Sequence, residues 1–154
     1  KIWYQSFHLT QLAVDLVGYN RETIEIYLRH FLNHWSYSEE AFELFLPKLL
    51  EVFRSEGALY GGFSWYKSNN LSRLETIAGP KRSHIPKINM PSAVLWGRHD
   101  PILKSDWACH LQSNFENVTI EFAEESGHFV HFEQPELAAD FVRDRLKIWH
   151  QRSD

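Results

Sequence analysis

Apolar side chains recur at helical spacing through the first seventy residues of the chain. Asn20, a favourable N-cap, precedes a run of apolar residues that lie three or four positions apart. The members of this run are Ile24, Tyr27, Leu28, Phe31, Leu32 and Trp35. A second apolar face spans residues 42–53, and Pro47 within it is expected to kink or split that helix. Ser36 and Glu39 have the spacing of a capping box, which predicts a helix start between the two faces.

A third helical segment is predicted over residues 58–66, after Gly57. It contains two adjacent glycines, Gly61 and Gly62. Glycine lowers helix stability, but the lack of a side chain allows another backbone or a ligand to approach closely. We therefore expect a weakened helix with a contact surface at this pair.

Residues 71–91 differ in character from the helical segments before them. The stretch GPKRS at 79–83, followed by Pro86 and Pro91, is typical of a surface connection with little regular structure. We therefore expect the boundary between two parts of the chain in this region.

From residue 92 onward, the pattern alternates between strands and helices. The apolar run 92–96, ended by Gly97, is typical of a buried parallel strand, and residues 118–122 resemble a second one. An amphipathic helix is expected to start near residue 105, and a final helix at Pro135, a favoured first-turn residue. Because two parallel strands are too few for a stable sheet, either the chain pairs with another or most of a sheet is missing from it.

Composition limits the classes of function that fit this chain. The net charge of -4, with mixed signs, provides no basic field for nucleic acid. No apolar run approaches the roughly 20 residues of a membrane span. Cys109 is the only cysteine, which excludes an internal disulfide and fits a reducing, cytoplasmic location. Its place in an amphipathic helix favours a small core residue over a nucleophile.

An acid and a histidine follow the two predicted strands. Asp100 comes just after the first strand, and His128 follows the second in a loop that contains Gly127. The C-terminal ends of adjacent parallel strands face the same crevice, so the acid can orient the imidazole through one ring nitrogen. The alternatives are a turn aspartate before Pro101 and a surface histidine. Because Asp100 and His128 both stand at the ends of adjacent strands, we favour a catalytic pair over these alternatives.

These two segments carry a family resemblance. The stretch PSAVLWGRHD at 91–100 resembles the acid-bearing strand of α/β-hydrolases, and SGHFVHFEQPE at 126–136 is similar to their histidine loop and last helix. The resemblance covers residues 90–150 and is specific for the superfamily, not for one reaction. It implies an α/β-hydrolase fold, in which residues 1–78 form a helical lid. Residues 79–154 then form the last two βα units of a mostly parallel sheet.

Two segments of the helical part resemble the lids of epoxide hydrolases. These are WYQSFH at 3–8 and FSWYK at 63–67. The resemblance implies that Tyr4 and Tyr66 are the lid phenols that donate hydrogen bonds to the epoxide oxygen, where negative charge develops. Two half-buried aromatic residues without such a role are the alternative. The middle of the lid is equally similar to haloacetate dehalogenases, but those carry a His-Trp pair at the place of Tyr4-Gln5.

In epoxide hydrolases, an aspartate attacks the substrate and forms an alkyl-enzyme ester. The resemblance implies that His128 activates the water that hydrolyses this ester, with Asp100 as its partner. Neither a nucleophile turn nor the His-Gly-x-Pro segment of an oxyanion hole occurs among residues 1–154. The expected reactants are a small apolar organic substrate and water, and the chain is expected to be only the C-terminal part of the enzyme.

Three alternatives stay open at the level of sequence. A haloacetate or haloalkane dehalogenase of the same fold would need halide donors in the lid, such as Trp3, Trp65 or His8. The chain could also be a non-catalytic module. Finally, it could be one half of a split enzyme that assembles with its missing N-terminal half or with a second copy through an unpaired strand edge.

A metal site is disfavoured. His30 and His34 lie four apart on a predicted helix, but no acid stands between them as in a His-Glu-x-x-His zinc site. No glycine-rich phosphate loop is present either, so neither a metal nor a cofactor is expected.

Overall fold

The structure is a computed structural model that describes residues 3–79 and 86–151. Helices dominate the first half of the chain, and strands alternate with helices in the second. The helices are α1 (Trp3–Phe7), α2 (Gln11–Val17), α3 (Arg21–Trp35), α4 (Leu46–Arg54), α5 (Ala58–Ser68), α6 (Asn70–Ala78), α7 (Val130–Glu133) and α8 (Pro135–His150); the strands are β1 (Ser92–Gly97) and β2 (Val118–Ala123); and Ser105–Ser113 form a 3₁₀ helix. Among the described residues, no helix combines the length and apolar character that a membrane span requires.

The chain divides into two compact units that are not consecutive segments. The first unit contains residues 1–31 and 43–84, and the second contains 32–42 and 85–154. Helix α3 therefore begins in the first unit and ends in the second. The assignment of residues 1–78 to a lid domain and of 79–154 to a core domain stays a prediction.

The first unit is helical, and its core is apolar. The predicted N-cap is confirmed: Asn20 Oδ1 accepts the Thr23 N–H at 2.9 Å, and Thr23 Oγ1 accepts the Asn20 N–H at 3.1 Å. These reciprocal bonds satisfy N–H groups at the start of α3 that have no partner within the helix. The buried apolar residues of this unit are Tyr4, Ala13, Val17, Ile24, Leu28, Phe31, Leu46, Leu50, Leu59 and Phe63.

Two sequence predictions between α3 and α4 are wrong. Pro47 does not kink a helix, because α4 begins at Leu46 and places the proline in its first turn, where a missing N–H costs nothing. Ser36 and Glu39 form no capping box, because they lie in bends and turns after α3 ends. The Ser36 hydroxyl is instead buried without a hydrogen-bond partner among the described residues.

The region expected to lack regular structure begins with a helix. Helix α6 covers residues 70–78, because the helix-breaking residues start only at Gly79. Residues 80–85 of the predicted connection lie outside the described residues. Gly61 and Gly62 lie within the continuous helix α5, and a Cβ at either position would meet nothing within 4 Å. The close approach predicted at this pair is therefore absent among the described residues.

The second unit contains the two predicted strands, which the structure confirms. β1 and β2 pair in parallel from Ser92–Val118 to Gly97–Ala123, so both strands end at the same edge of the sheet. The helix between them is a 3₁₀ helix. Its Ala108 is buried while Cys109 is exposed, so the prediction of Cys109 as a core residue is wrong. The tighter 3₁₀ turn changes which positions face inward.

Candidate active site

An acid and a histidine meet beyond the ends of the two strands. Asp100 Oδ2 lies 2.8 Å from His128 Nδ1. The other carboxylate oxygen, Oδ1, accepts the N–H groups of Ile102 at 2.8 Å and Leu103 at 2.9 Å. Hydrogen bonds therefore hold both carboxylate oxygens in place. The Asp100 residue is only 8% exposed, so water has little access to it. With a carboxylate at Nδ1, a neutral His128 carries its proton there and leaves the Nε2 lone pair available as a base.

The His128 loop is held by backbone hydrogen bonds. The His128 N–H donates to the Trp35 carbonyl at 2.7 Å, and the His99 N–H donates to the Ser126 carbonyl at 2.9 Å. The imidazole stands edge-on to the Trp35 ring at 5.3 Å and to the Phe129 ring at 5.2 Å. Its side chain nevertheless stays 25% exposed. The imidazole is therefore oriented by its surroundings and still accessible to water.

Glu133 stabilises the His128 loop by hydrogen bonds. Its role was not predicted from the sequence. Its Oε1 accepts the N–H groups of Gly127 at 3.0 Å and Phe129 at 3.2 Å, on either side of His128. Its Oε2 accepts the Tyr37 N–H at 2.6 Å. Bonds from backbone N–H groups to an ionised carboxylate are stronger than neutral ones. The only signal in the sequence was an acidic residue within an otherwise aromatic stretch.

Two glycines allow the strand end and the histidine loop to touch. A Cβ at Gly97 would lie 1.7 Å from the Gly127 carbonyl oxygen, and one at Gly127 would lie 2.3 Å from the Trp35 carbonyl oxygen. Each position therefore excludes any side chain, because the obstructing atoms belong to backbone. At Gly127, the close approach of two backbones is what requires glycine.

The two predicted lid phenols lie together in the first unit. The rings of Tyr4 and Tyr66 pack edge to face with their centroids 6.0 Å apart, and Tyr4 is only 6% exposed. Burial, with a smaller contribution from Tyr4, raises the pKa of Tyr66 above its ordinary value. The Tyr66 hydroxyl is thus protonated at neutral pH and able to donate. Tyr66 also lines a pocket of about 150 Å³ together with Gln5, Trp65 and Asn69.

The first unit also contains a pocket that does not include the phenol pair. This larger pocket of about 750 Å³ is lined by residues between 14 and 24 and between 53 and 60. Neither Tyr4 nor Tyr66 lines this pocket. No three His, Cys, Asp or Glu side chains within the described ranges 3–79 and 86–151 converge to hold a metal ion.

A buried histidine stands beside the phenol pair. His8 is 2% exposed, and its Nε2 lies 2.8 Å from the Tyr27 hydroxyl. Burial lowers the pKa of His8 to about 4, so it is neutral at physiological pH. The sequence had suggested His8 only as a halide donor.

Comparison with known proteins supports the fold. No protein-family model matches the chain. The chain is 31% identical over 89 residues to human "Monoacylglycerol lipase ABHD6", an alignment that covers 53% of this chain and 26% of that protein. It is 29% identical over 63 residues to "Uncharacterized hydrolase YugF" of Bacillus subtilis (strain 168), which covers 41% and 23%.

Two solved structures resemble nearly the whole chain. Wild-type Cfl2 from Burkholderia cenocepacia superposes with a TM-score of 0.74 at 28% identity, covering 93% of this chain and 47% of that one. "Epoxide hydrolase CorEH" superposes with a TM-score of 0.73 at 26% identity, covering 92% and 48%.

The chain therefore spans about a quarter of the length of these curated relatives and about half of these solved structures. The structural likeness confirms the predicted α/β-hydrolase fold. Together, the sequence and structural similarities support the assignment of this chain to the α/β-hydrolase superfamily.

Proposed function

We propose that the natural protein containing this chain is a hydrolase of the epoxide hydrolase type. It opens a small apolar epoxide through an alkyl-enzyme ester on an aspartate outside residues 1–154, and water activated by His128 with Asp100 hydrolyses that ester. The observation that carries the proposal is the pair of adjacent phenols, Tyr4 and Tyr66. The likeness to a solved epoxide hydrolase over 92% of the chain adds support.

The phenols suit the first chemical step. When the carboxylate attacks an epoxide carbon, the carbon–oxygen bond of the ring breaks and its electron pair moves to the epoxide oxygen. Two protonated phenols can stabilise that charge by hydrogen bonds, and one of them can supply the proton that forms the alcohol. Tyr66 contributes to a small pocket, and its raised pKa keeps its hydroxyl a donor.

The histidine and acid suit the second step. Water attacks the carbonyl carbon of the ester while its proton moves to His128 Nε2. The bond between the carbonyl carbon and the alkyl oxygen then breaks, and the departing alkoxide takes the proton from His128. Asp100, 2.8 Å from Nδ1, stabilises the positively charged imidazole between these transfers. The products are a diol and the aspartic acid, which returns to the ionised aspartate by losing its proton to solvent, while the phenolate left by the first step takes a proton back.

Replacement of the phenols tests the proposal. We expect Tyr4→Phe and Tyr66→Phe each to lower kcat for epoxide opening by about 10²-fold, because each removes a donor to the developing oxyanion. Steady-state kinetics of the full-length protein measure this effect. Tyr60→Phe is the matched control, because Tyr60 lies on the same helix as Tyr66 and is exposed. Unchanged turnover in both single variants and in the double variant would remove the epoxide assignment.

Carboxylic ester hydrolysis with a serine nucleophile is a second candidate. It is favoured by the 31% identity to a protein named monoacylglycerol lipase. His128 and Asp100 would then serve a serine in both chemical steps. Hydrolysis of acyl esters that survives the double replacement of Tyr4 and Tyr66, without epoxide opening, would favour this candidate. Halide release in the same assays would favour the dehalogenase alternative.

A further inference from the structure

The side chain of Glu133 holds the backbone on both sides of His128. The N–H groups of Gly127 and Phe129 donate to one carboxylate oxygen, Oε1, at 3.0 and 3.2 Å. The other oxygen, Oε2, accepts the Tyr37 N–H at 2.6 Å. One carboxylate therefore joins the loop that carries the histidine to the bend that follows helix α3.

The place of Glu133 in helix α7 explains how its carboxylate reaches the loop. Phe129 is the N-cap of this helix, and Glu133 follows four residues later, about one helical turn away. Side chains on a helix incline toward its N-terminus, so the Glu133 side chain extends back toward the loop. The N–H groups at the start of a helix have no acceptor within it, and the carboxylate supplies one.

The two members of the acid–histidine pair are held in different ways. The Asp100 carboxylate is fixed by N–H groups of its own loop, because Oδ1 accepts those of Ile102 and Leu103. His128 comes from a separate loop, so the 2.8 Å between its Nδ1 and Asp100 Oδ2 depends on where that loop lies. A loop displaced by about 1 Å would take this pair outside the range of a good hydrogen bond.

We propose that Glu133 is a positioning residue for His128: its carboxylate fixes the loop so that Nδ1 stays on Asp100 and Nε2 stays directed at the water that attacks the ester. The inference rests on the proposed function and assigns Glu133 to its second chemical step. Attack of an aspartate on an epoxide needs no base, so loss of this positioning should slow ester hydrolysis and leave ester formation unchanged. A role in folding alone would affect both steps alike.

Glu133→Gln in the full-length protein tests this assignment. Glutamine has nearly the same shape but only one acceptor oxygen, so it cannot accept from both the loop and Tyr37. We expect the rate of ester hydrolysis to fall by about 10-fold in Glu133→Gln and by about 10²-fold in Glu133→Ala, because a displacement of about 1 Å can cost that much. Rapid mixing with epoxide, followed by intact-mass measurement of the ester over time, gives the rates of both steps.

Glu136→Gln is the matched control for this experiment. Glu136 lies three residues after Glu133, in the first turn of α8, and is exposed. Its replacement is expected to leave both rates unchanged. Equal slowing of the two steps in Glu133→Gln, or slowing of neither, would overturn the inference. If Glu133→Ala does not fold, the comparison of the two steps in Glu133→Gln decides alone.

A measurement without substrate separates failure of this inference from failure of the proposed function. Proton NMR detects the Nδ1 proton of His128 in its hydrogen bond to Asp100 as a resonance far downfield. We expect this resonance in the wild type and in Glu136→Gln, and its loss through exchange with water in Glu133→Gln. An unchanged resonance in Glu133→Gln would overturn the inference even if epoxides are opened. Absence of epoxide turnover and of an ester in the wild type would instead overturn the proposed function.

Discussion

Replacement of His128 by glutamine is expected to lower epoxide turnover of the full-length protein by about 10²- to 10⁴-fold, while a covalent ester accumulates. A carboxylate nucleophile is ionised at neutral pH and needs no base for the first step. Hydrolysis of the ester needs a base, and glutamine cannot take a proton from water. Intact-mass measurement after mixing with excess epoxide should therefore find the protein heavier by one substrate molecule.

The same variant distinguishes the two candidate functions. A serine nucleophile needs the histidine to remove its proton, so no adduct would form in a serine hydrolase without His128. His131→Gln is the matched control, because His131 lies three residues further along in α7 and is exposed. Full turnover in His128→Gln would contradict the assignment of the base. Lost turnover without an adduct would favour the serine mechanism.

Gly97→Ala is expected to destabilise the second unit by about 3 kcal/mol or more, because the new methyl group overlaps backbone on the facing loop. The Cβ would lie 1.7 Å from the Gly127 carbonyl oxygen, so the histidine loop must move away from the end of β1. That movement also separates Asp100 from His128. Urea denaturation measures the change in stability, and loss of turnover should accompany it.

Gly61→Ala is the control for the loss of stability expected in Gly97→Ala. A Cβ at Gly61 meets nothing within 4 Å, and the position lies inside helix α5. Alanine there should stabilise the protein by about 0.5–1 kcal/mol. A Gly97→Ala protein as stable as the wild type would show that the close approach of the two backbones is not required.

Local sequence patterns were sufficient to predict the strands and the last helix around the candidate site. The strands were predictable because each is a short apolar run bounded by turn residues, and α8 because Pro135 opens a long amphipathic stretch. The proximity of Asp100 and His128 was predictable because parallel strands end at the same edge of a sheet. Their catalytic roles, like those of the lid tyrosines, stay predictions.

Several other contacts between distant parts of the chain were not predictable. Glu133 accepts the N–H of Tyr37, which lies 96 positions earlier, and no local pattern encodes such a bond. The requirement for glycine at positions 97 and 127 likewise arises from backbones that meet only in the folded unit. The burial of His8 was equally hidden, because its partners Tyr27 and Phe63 come from other helices.

The origin of the oxygen in the diol tests the central claim most directly. With protein in excess over epoxide in oxygen-18 water, a single turnover through an aspartyl ester transfers an oxygen of the protein to the substrate. Mass spectrometry should then find no label in the diol and one labelled oxygen in the protein. A diol labelled in the first turnover would mean that water attacks the epoxide directly, and would contradict a role for His128 in ester hydrolysis.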